Sequence, residues 1–414
     1  MTDNSTTERN RDETECADSS TAISGVTRRR AVSLAATGLA AGAIGTAQAS
    51  THDAEVWQTD GIWYAANDET VYEGTDYLDA IQAAVDSLTP GRTSKETVLI
   101  KNSGSVGPHS WDGDVKAVDL PSYTVIDHNG TIFVEDTGED LIVPFRAQSV
   151  ESIEIRNVTI EGNPRYGIWV QSCSNVQLGT ITMSLWDTES VGIGIRIDDS
   201  DGGRSRNVSL EYASIEGSNH HAVETYGVDT IDIGTVETVD TGGCGLLLND
   251  TAYATVDYVN ATRADQGGGY AGFRCANDAG PEIVVNRVDA VDCGRGIFTV
   301  SGSEGIEIYD IYLDGNGGNL VQDTRYLLID GGTVTNTGSS GIRIDSRSSA
   351  EYPHTTDVTV RNLELTGNAE YGVYETGPET ERNAIVSNHF CNNASGAVET
   401  YANSTDVSGN SYCS

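Results

Sequence analysis

The chain has 414 residues, and its 62 acidic residues against 24 basic residues give it a formal net charge of −38. So large a negative charge excludes a protein that binds nucleic acid mainly through contacts to phosphates. Hydrophobic residues make up 37% of the sequence, which excludes a wholly disordered chain. We therefore expect a folded protein whose partner is not a nucleic acid.

The first 49 residues carry the features of an export signal. Three arginines at 28–30 precede an uncharged, Ala/Gly-rich stretch at 31–49, which ends in a small-x-small cleavage pattern before Ser50. This order resembles a twin-arginine signal, so we expect a secreted protein. No other stretch is long and apolar enough to cross a membrane. Cleavage would remove five arginines and six acidic residues, leaving a net charge of −37 and six of the seven cysteines.

Positive charge is carried almost entirely by arginine, because the only lysines are Lys95, Lys101 and Lys116. An acid-rich, lysine-poor composition is similar to that of proteins from salt-loving archaea, whose carboxylate-covered surfaces stay hydrated in brine. Concentrated salt screens the long-range repulsion between the carboxylates. We therefore expect a salt-adapted protein.

Between residues 50 and 97 the sequence predicts a short capping helix. The segment 77–88 has apolar residues at helical spacing, namely Leu78, Ile81, Val85 and Leu88. The helix would cover the first coil of the following domain, whose sheet edge would otherwise be open.

From residue 98 to residue 414 the pattern apolar-x-apolar-x-x-apolar recurs at intervals of 21–32 residues. Its copies begin at Ile153, Val176, Val208, Ile231, Val256, Ile283, Ile306, Leu327, Val358, Ile385 and Val407. Within a repeat, two short strands meet at a two-residue corner, and a Gly/Asn/Asp-rich turn leads to a third strand. This strand typically opens on a glycine, as at Gly167, Gly194, Gly245, Gly272, Gly296 and Gly341. Three short strands in each of about ten or more coils predict an all-β, right-handed parallel β-helix. A propeller blade requires about 40 residues, which these intervals cannot hold.

The capping helix, followed by Thr89-Pro90-Gly91 and the strand at 98–100, resembles the start of pectate-lyase-like and polygalacturonase-like β-helix proteins. The resemblance covers the chain from about Asp76 and rests on architecture. It implies an extracellular polysaccharide as partner, because these families are mostly secreted polysaccharide lyases and glycoside hydrolases, with epimerases and binding proteins among them. Fold alone does not choose between these functions.

The catalytic motifs of the two families are missing from the sequence. Its nearest approach to a polygalacturonase pattern is Asn249-Asp250-Thr251 together with the segment at 341–345. A lysine base is also unsupported, because all three lysines precede the first regular repeat.

The third strands predict a substrate-binding strip. Side chains alternate along a strand, so the second residue after each entrance glycine is expected to face solvent. This column comprises Trp169, Arg196, Leu247, Arg274, Phe298, Arg343 and Tyr374, with Glu224 at the matching position. The adjoining column comprises Gln171, Asp198, Tyr226, Asn249 and Asp345. Aromatic, arginine and carboxylate side chains would thus repeat once per coil. The spacing between coils is close to the length of one sugar ring.

Two reactions fit this strip. β-Elimination from a uronic-acid polymer needs a cation beside the carboxylate, for which Arg196, Arg274 and Arg295 are candidates, and a base, for which His221 and Tyr226 are candidates. Hydrolysis needs two carboxylates, which Glu224 and Asp198 would supply. A polysaccharide lyase is favoured, with a glycoside hydrolase as the alternative. A third hypothesis is that these charged side chains form a solvated row on a non-catalytic, glycan-binding or cell-surface protein.

Three carboxylates in the longest insertion, Asp198, Asp199 and Asp201, suggest a Ca²⁺ site. A bound Ca²⁺ ion would help so acidic a chain to hold an anionic polymer. No histidine and cysteine spacing suggests zinc.

Cys391 and Cys413 each lie six residues after the start of a repeat, so they should stack on successive coils within disulfide distance. The other cysteines of the repeat region have unequal offsets, so we expect no stacked pair among Cys173, Cys244, Cys275 and Cys293. We expect a monomer.

Overall fold

The computed structural model describes residues 52–108, 115–135, 142–185, 192–347, 352, 354–377 and 379–413. The export signal predicted for residues 1–49 lies outside these ranges. Over the described ranges, no helix is both long and apolar enough to span a membrane.

The described chain begins with an antiparallel three-stranded meander that the sequence reading missed. Its strands are β1 (Ala54–Thr59), β2 (Ile62–Asn67) and β3 (Glu69–Gly74). Asp60 and Gly61 form the two-residue turn between β1 and β2, with φ values of 51° and 81°. An Asp-Gly pair between alternating apolar residues is the usual sequence signal for such a hairpin.

The capping helix α1 spans Tyr77–Asp86, and the Asp76 carboxylate caps it by accepting a hydrogen bond of 3.0 Å from the Asp79 N–H. The apolar residues expected to form its inner face are all buried: Leu78, Ile81, Val85 and Leu88. The helix packs against the first strands of the domain, so its predicted role is confirmed.

The remaining strands pair in parallel from coil to coil. The first ten are β4 (Glu96–Ile100), β5 (Gly104–Val106), β6 (Lys116–Asp119), β7 (Thr124–Val134), β8 (Ile142–Gln148), β9 (Glu151–Gly162), β10 (Tyr166–Gln171), β11 (Ser174–Leu185), β12 (Ile193–Asp198) and β13 (Ser205–Glu216). The next ten are β14 (Val223–Val239), β15 (Leu246–Thr262), β16 (Phe273–Ala276), β17 (Ile283–Val285), β18 (Val288–Val291), β19 (Arg295–Thr299), β20 (Glu304–Asp314), β21 (Gly318–Gln322), β22 (Arg325–Thr335) and β23 (Ile342–Asp345).

The last nine strands are β24 (Thr355–Thr356), β25 (Thr359–Thr366), β26 (Tyr371–Glu375), β27 (Thr380–Glu381), β28 (Ala384–Val386), β29 (His389–Cys391), β30 (Gly396–Glu399), β31 (Asp406–Ser408) and β32 (Ser411–Tyr412). Together the strands form a solenoid of about 12 turns. The predicted parallel β-helix is therefore confirmed.

The third strands of successive coils stack into one parallel sheet, here called the third-strand sheet. It consists of β6, β8, β10, β12, the first residues of β14 and β15, β16, β19, β21, β23, β26 and β30. Alternate residues such as Ile168 and Val170 enter the apolar core. The entrance glycines are required sterically: a Cβ on Gly167 would lie 2.6 Å from Met183 Cε and 2.8 Å from the carbonyl oxygen of Gly194.

A disulfide joins Cys391 at the end of β29 to Cys413 just after β32, and their Cα atoms are 5.1 Å apart. This is the pair that the equal repeat offsets predict. Cys173, Cys244, Cys275 and Cys293 are free and buried, in agreement with their unequal offsets.

Candidate active site

The outward side chains of the third-strand sheet form one continuous column in the predicted order. From the first coil to the last, paired in register, they are Asp119, Arg146, Trp169, Arg196, Glu224, Leu247, Arg274, Phe298, Leu320, Arg343, Tyr374 and Glu399. The adjoining column pairs Gln171 with Asp198 and Tyr226 with Asn249. Parallel pairing repeats each position at a spacing of roughly 4.8 Å.

Several of these side chains point away from the core yet are covered, so the prediction that they face solvent was wrong. Glu224 is 6% exposed, Arg274 is 8% exposed, and Leu247 and Phe298 are also buried. Trp169 and Arg196 are half-buried, while Arg343 is exposed. Leu247 and Phe298 belong to a second apolar cluster, and Arg274 packs on its Tyr270 and Phe298 rings. The cluster consists of Cys244, Leu247, Ala271, Ala276, Phe298 and Val300, with Tyr270 and Leu320 packed against it.

Arg196 joins the two carboxylates that hydrolysis would use, Asp198 and Glu224. Its Nε donates to Asp198 Oδ2 at 2.6 Å, and its Nη1 donates to Glu224 Oε2 at 3.0 Å. Burial acts to lower the pKa of Arg196, but Glu224, Tyr166 and Asp198 together raise it above its ordinary value. One arginine therefore holds both carboxylates, whereas hydrolysis uses two carboxyl groups with separate roles.

Asp198 is positioned by four hydrogen bonds. Besides Arg196, Trp169 Nε1 donates to its Oδ2 at 2.9 Å, and the hydroxyl and the N–H of Ser200 donate to its Oδ1 at 2.6 and 3.1 Å. Asp198 therefore fixes the orientations of Trp169 and Arg196 on neighbouring coils.

The Ca²⁺ site that the sequence suggests stays a prediction. In the parts of the chain that the structure describes, only His389, Cys391 and Cys413 bring three ligand atoms of the His, Cys, Asp and Glu type within 4.8 Å of one another. The three acidic residues of the loop, Asp198, Asp199 and Asp201, do not converge in this way. Asp198 accepts hydrogen bonds from Trp169 and Arg196.

Arg274 is a buried cation without an ion-pair partner among the described residues. Its guanidinium carbon lies 5.2 Å from the Tyr270 ring centroid and 4.9 Å from the Phe298 ring centroid. Within the described residues its Nε is buried and has no hydrogen-bond partner. A buried charge of this kind is costly, and an anionic ligand would offset the cost. Arg295 lies beside the same Phe298 ring, with its guanidinium carbon 4.5 Å from the centroid.

His221 lies in the same region, fully buried. Its Nδ1 accepts a hydrogen bond of 2.8 Å from the Cys244 N–H, and its ring meets that of Tyr270 edge-on at 4.8 Å. Burial lowers the pKa of His221 well below 6.5, and His220, Arg274 and Arg196 lower it further. The ring is therefore neutral with its proton on Nε2, so His221 is a hydrogen-bond donor rather than the base that we expected.

Two tyrosines are the remaining candidates for the base. Tyr226 is half-buried and is paired in register with Asn249, whose buried Oδ1 has no hydrogen-bond partner in the described residues. Tyr270 lies against both Arg274 and His221. Sequence reasoning missed Tyr270, although it follows three consecutive glycines and stands two residues before an entrance glycine.

Two concave pockets of about 280 Å³ each lie along the face on either side of this region. One is lined in part by Asp119 and Arg146 of the outward column, and the other by Arg295, Leu320 and Arg343. The second pocket therefore extends the arginine-containing surface beyond Phe298. The structure brings together His221, Glu224, Arg196, Asp198 and Arg274, while Arg343 lies three coils farther along.

Comparisons with known proteins agree on the fold. Residues 244–412 match the family model described as a right-handed β-helix region. The A-module of the mannuronan C-5 epimerase AlgE6 from Azotobacter vinelandii aligns with a TM-score of 0.55 and 15% identity, over 82% of this chain and 96% of that module. The AlgE4 A-module from the same organism aligns with a TM-score of 0.50 and 14% identity, over 81% and 96%. No curated protein matches the sequence significantly. The chain is a right-handed parallel β-helix.

Proposed function

We propose that the protein binds a uronic-acid-containing polysaccharide along the third-strand sheet and removes the proton next to the sugar carboxylate. The observation that carries the proposal is Arg274, a cation that is 8% exposed and has aromatic neighbours but no carboxylate partner among the described residues. A sugar carboxylate paired with Arg274 would satisfy this charge. The same pairing would stabilise the negative charge that develops when the adjacent proton is removed.

The reaction would divide the roles among three groups. Arg274 binds the carboxylate, the neutral His221 donates a hydrogen bond from Nε2, and Tyr226 or Tyr270, as the phenolate, accepts the proton from C5. In a lyase the C4–O bond then breaks, a C4=C5 double bond forms, and the departing oxygen takes up the proton from the tyrosine hydroxyl, which regenerates the phenolate. A polysaccharide lyase is the function that we favour.

Epimerisation at C5 is a second candidate and shares the first step. We retain epimerisation as a candidate because of the similarity to epimerase A-modules. At 15% and 14% identity, that similarity concerns the fold. In an epimerase a proton returns to the opposite face of C5, and no bond in the polymer breaks.

Hydrolysis is a weaker candidate because Arg196 holds both Asp198 and Glu224. A binding protein without catalysis would use the same face. Secretion by the twin-arginine route, salt adaptation and a monomeric state stay predictions.

Incubation of the purified protein with a panel of polyuronates in concentrated salt tests the proposal. A lyase produces unsaturated ends that absorb ultraviolet light, whereas an epimerase incorporates deuterium at C5 in D₂O without shortening the polymer. Reducing ends without unsaturation would indicate a hydrolase. Binding without any of these products would indicate a non-catalytic protein.

A matched pair of variants assigns any activity to the site. Arg274→Met should abolish it, while Arg361→Met should not, because Arg361 is exposed and pairs with Asp330 away from the third-strand sheet. Equal activity of the two variants would contradict the site assignment.

A further inference from the structure

Three side chains of the last two coils converge on a small volume. Nε2 of His389 lies 3.2 Å from Sγ of Cys391 and 3.5 Å from Sγ of Cys413. All three ligand atoms lie within 4.8 Å of one another. His389 and Cys391 are half-buried and Cys413 is exposed, so an ion could reach them from solvent.

The hydrogen bonds around His389 orient it as a ligand. Its Nδ1 lies 2.8 Å from Oγ of Ser411, and that hydroxyl donates to the carbonyl oxygen of Asn388 at 3.5 Å. In the tautomer with the proton on Nδ1, His389 donates to Ser411 Oγ and the lone pair of Nε2 is directed at the sulfurs. A ligating histidine is normally held by such a bond from its other ring nitrogen.

The distances suit a tetrahedral ion. With bonds of about 2.3 Å to sulfur and about 2.0 Å to nitrogen, the nitrogen and each sulfur would lie roughly 3.5 Å apart. The two sulfurs would lie roughly 3.8 Å apart around the same ion, which requires the bond between them to be broken. The Cα separation of 5.1 Å leaves the two strands close enough for this.

We propose that, when the disulfide is reduced, His389, Cys391 and Cys413 bind one thiophilic divalent cation of the Zn²⁺ type, with water in the fourth position. An external dithiol or phosphine supplies the two electrons and is itself oxidised, and two protons from solvent give the two thiols. Binding of the ion then releases both thiol protons. The last two coils are thus cross-linked by a covalent bond in the oxidised protein and by a metal in the reduced protein.

The other cysteines of the described chain do not compete for the ion. All four are buried, and burial raises the pKa of Cys244 to about 12 and that of Cys293 to about 11. Burial also raises the pKa values of Cys173 and Cys275. Their thiols therefore stay protonated, whereas metal binding requires thiolates.

The test is a titration of the full chain with Co²⁺ and then Zn²⁺ under anaerobic conditions after phosphine reduction. We expect one Co²⁺ per chain, with a thiolate-to-cobalt absorption band that Zn²⁺ abolishes by displacement. The oxidised protein should give no band. Ser411→Ala should weaken binding by about 10- to 100-fold while keeping all three ligands. His354→Ala, at an exposed histidine that lies 3.9 Å from the Glu379 carboxylate, is the matched control for His389→Ala.

A thiolate band that persists in His389→Ala, or in Cys413→Ser, would overturn the proposal. So would a reduced protein that keeps its native circular dichroism yet binds no Co²⁺. Because these measurements need no substrate, their outcome is independent of the proposed enzymatic function.

Discussion

Arg274 and Phe298 are paired in register on adjacent coils, and the guanidinium carbon of Arg274 lies 4.9 Å from the centroid of the Phe298 ring. Tyr270 lies 5.2 Å from the same carbon. Aromatic neighbours orient a cation without neutralising it. Arg274 therefore keeps its charge available for an anion, unlike Arg196, whose charge is shared by two carboxylates.

Replacement of Arg274 by methionine should separate function from stability. We expect loss of polyuronate binding and turnover by at least about 100-fold, since the variant lacks the charge that stabilises the reacting carboxylate. The free energy of unfolding should stay the same or rise by about 1 kcal/mol, because the variant removes a buried charge that has no ion-pair partner among the described residues. Chemical denaturation in concentrated salt measures the second effect. A large loss of stability would mean that Arg274 has a structural partner.

His221 offers a pair of variants that distinguish its two nitrogens. The Oδ1 of asparagine can replace Nδ1 as acceptor for the Cys244 N–H, so His221→Asn should fold normally and lose the donor at Nε2. His221→Gln places its amide nearer the position of Nε2 and should leave the Cys244 N–H without its acceptor. We expect His221→Asn to be stable and inactive and His221→Gln to be less stable. Thermal unfolding with activity assays compares them, and full activity of His221→Asn would exclude a catalytic donor.

The fold and the order of the outward column were predictable because both depend on local periodicity. Alternation along each strand and the constant offset from an entrance glycine place Trp169, Arg196 and Arg274 in register without any knowledge of distant contacts. The N-terminal hairpin also has a local sequence signal, the Asp60-Gly61 turn. It was not predicted because it lies outside the repeated apolar pattern on which the fold prediction rests.

The burial of the site was not predictable in the same way. It depends on Tyr270, which lies in the segment before β16, and on the packing of Leu247 and Phe298 from neighbouring strands into one apolar cluster. The role of His221 depends on one hydrogen bond from a backbone N–H on the next coil. Such a hydrogen bond cannot be predicted from a single sequence.

The buried His128 should make stability depend on pH. Burial lowers its pKa to about 4, and its Nε2 lies 2.7 Å from the Tyr77 hydroxyl. An unfolded histidine has a pKa of about 6.5, so the unfolded chain binds a proton in the pH range where the folded chain does not. Stability is fully present above pH 6.5 and should fall by about 3 kcal/mol as the pH drops to about 4.

His128→Gln should lose this part of the pH dependence. Denaturant unfolding at constant high salt, from pH 7 to about 4, gives the comparison, with His354→Gln as the exposed control. Parallel curves for wild type and His128→Gln would exclude His128 as the source.

Removal of the terminal disulfide should release the last coil. In Cys391→Ala/Cys413→Ala the unfolded state gains the conformational freedom that the disulfide restricts. The free energy of unfolding should therefore fall by about 3 kcal/mol, the contribution expected for a closed loop of this size. We expect proteolysis to begin at β31 and β32 in the variant while the third-strand sheet stays protected. Mass spectrometry of the fragments identifies the cut sites. Cleavage first at the N-terminal meander would contradict this order.

Stability should also depend strongly on salt. The chain has 62 acidic residues and 24 basic residues, so its charges repel one another at low ionic strength. The melting temperature should rise steeply as NaCl or KCl is added up to molar concentrations, where the repulsion is screened. A melting temperature that does not change with salt would remove the explanation for the scarcity of lysine.

The constant register of the coils also bears on how the length of the binding face can change. Duplication of one complete coil would shift everything after it by one strand spacing, roughly 4.8 Å, and leave every side chain on its original face. A duplication between Arg196 and Glu224, or between Arg274 and Phe298, would break contacts that join neighbouring coils. A duplication between Arg343 and Tyr374 would leave those contacts intact and add room for about one more sugar. Duplication or deletion of a complete coil would thus change how many sugars the face can hold without altering its chemistry.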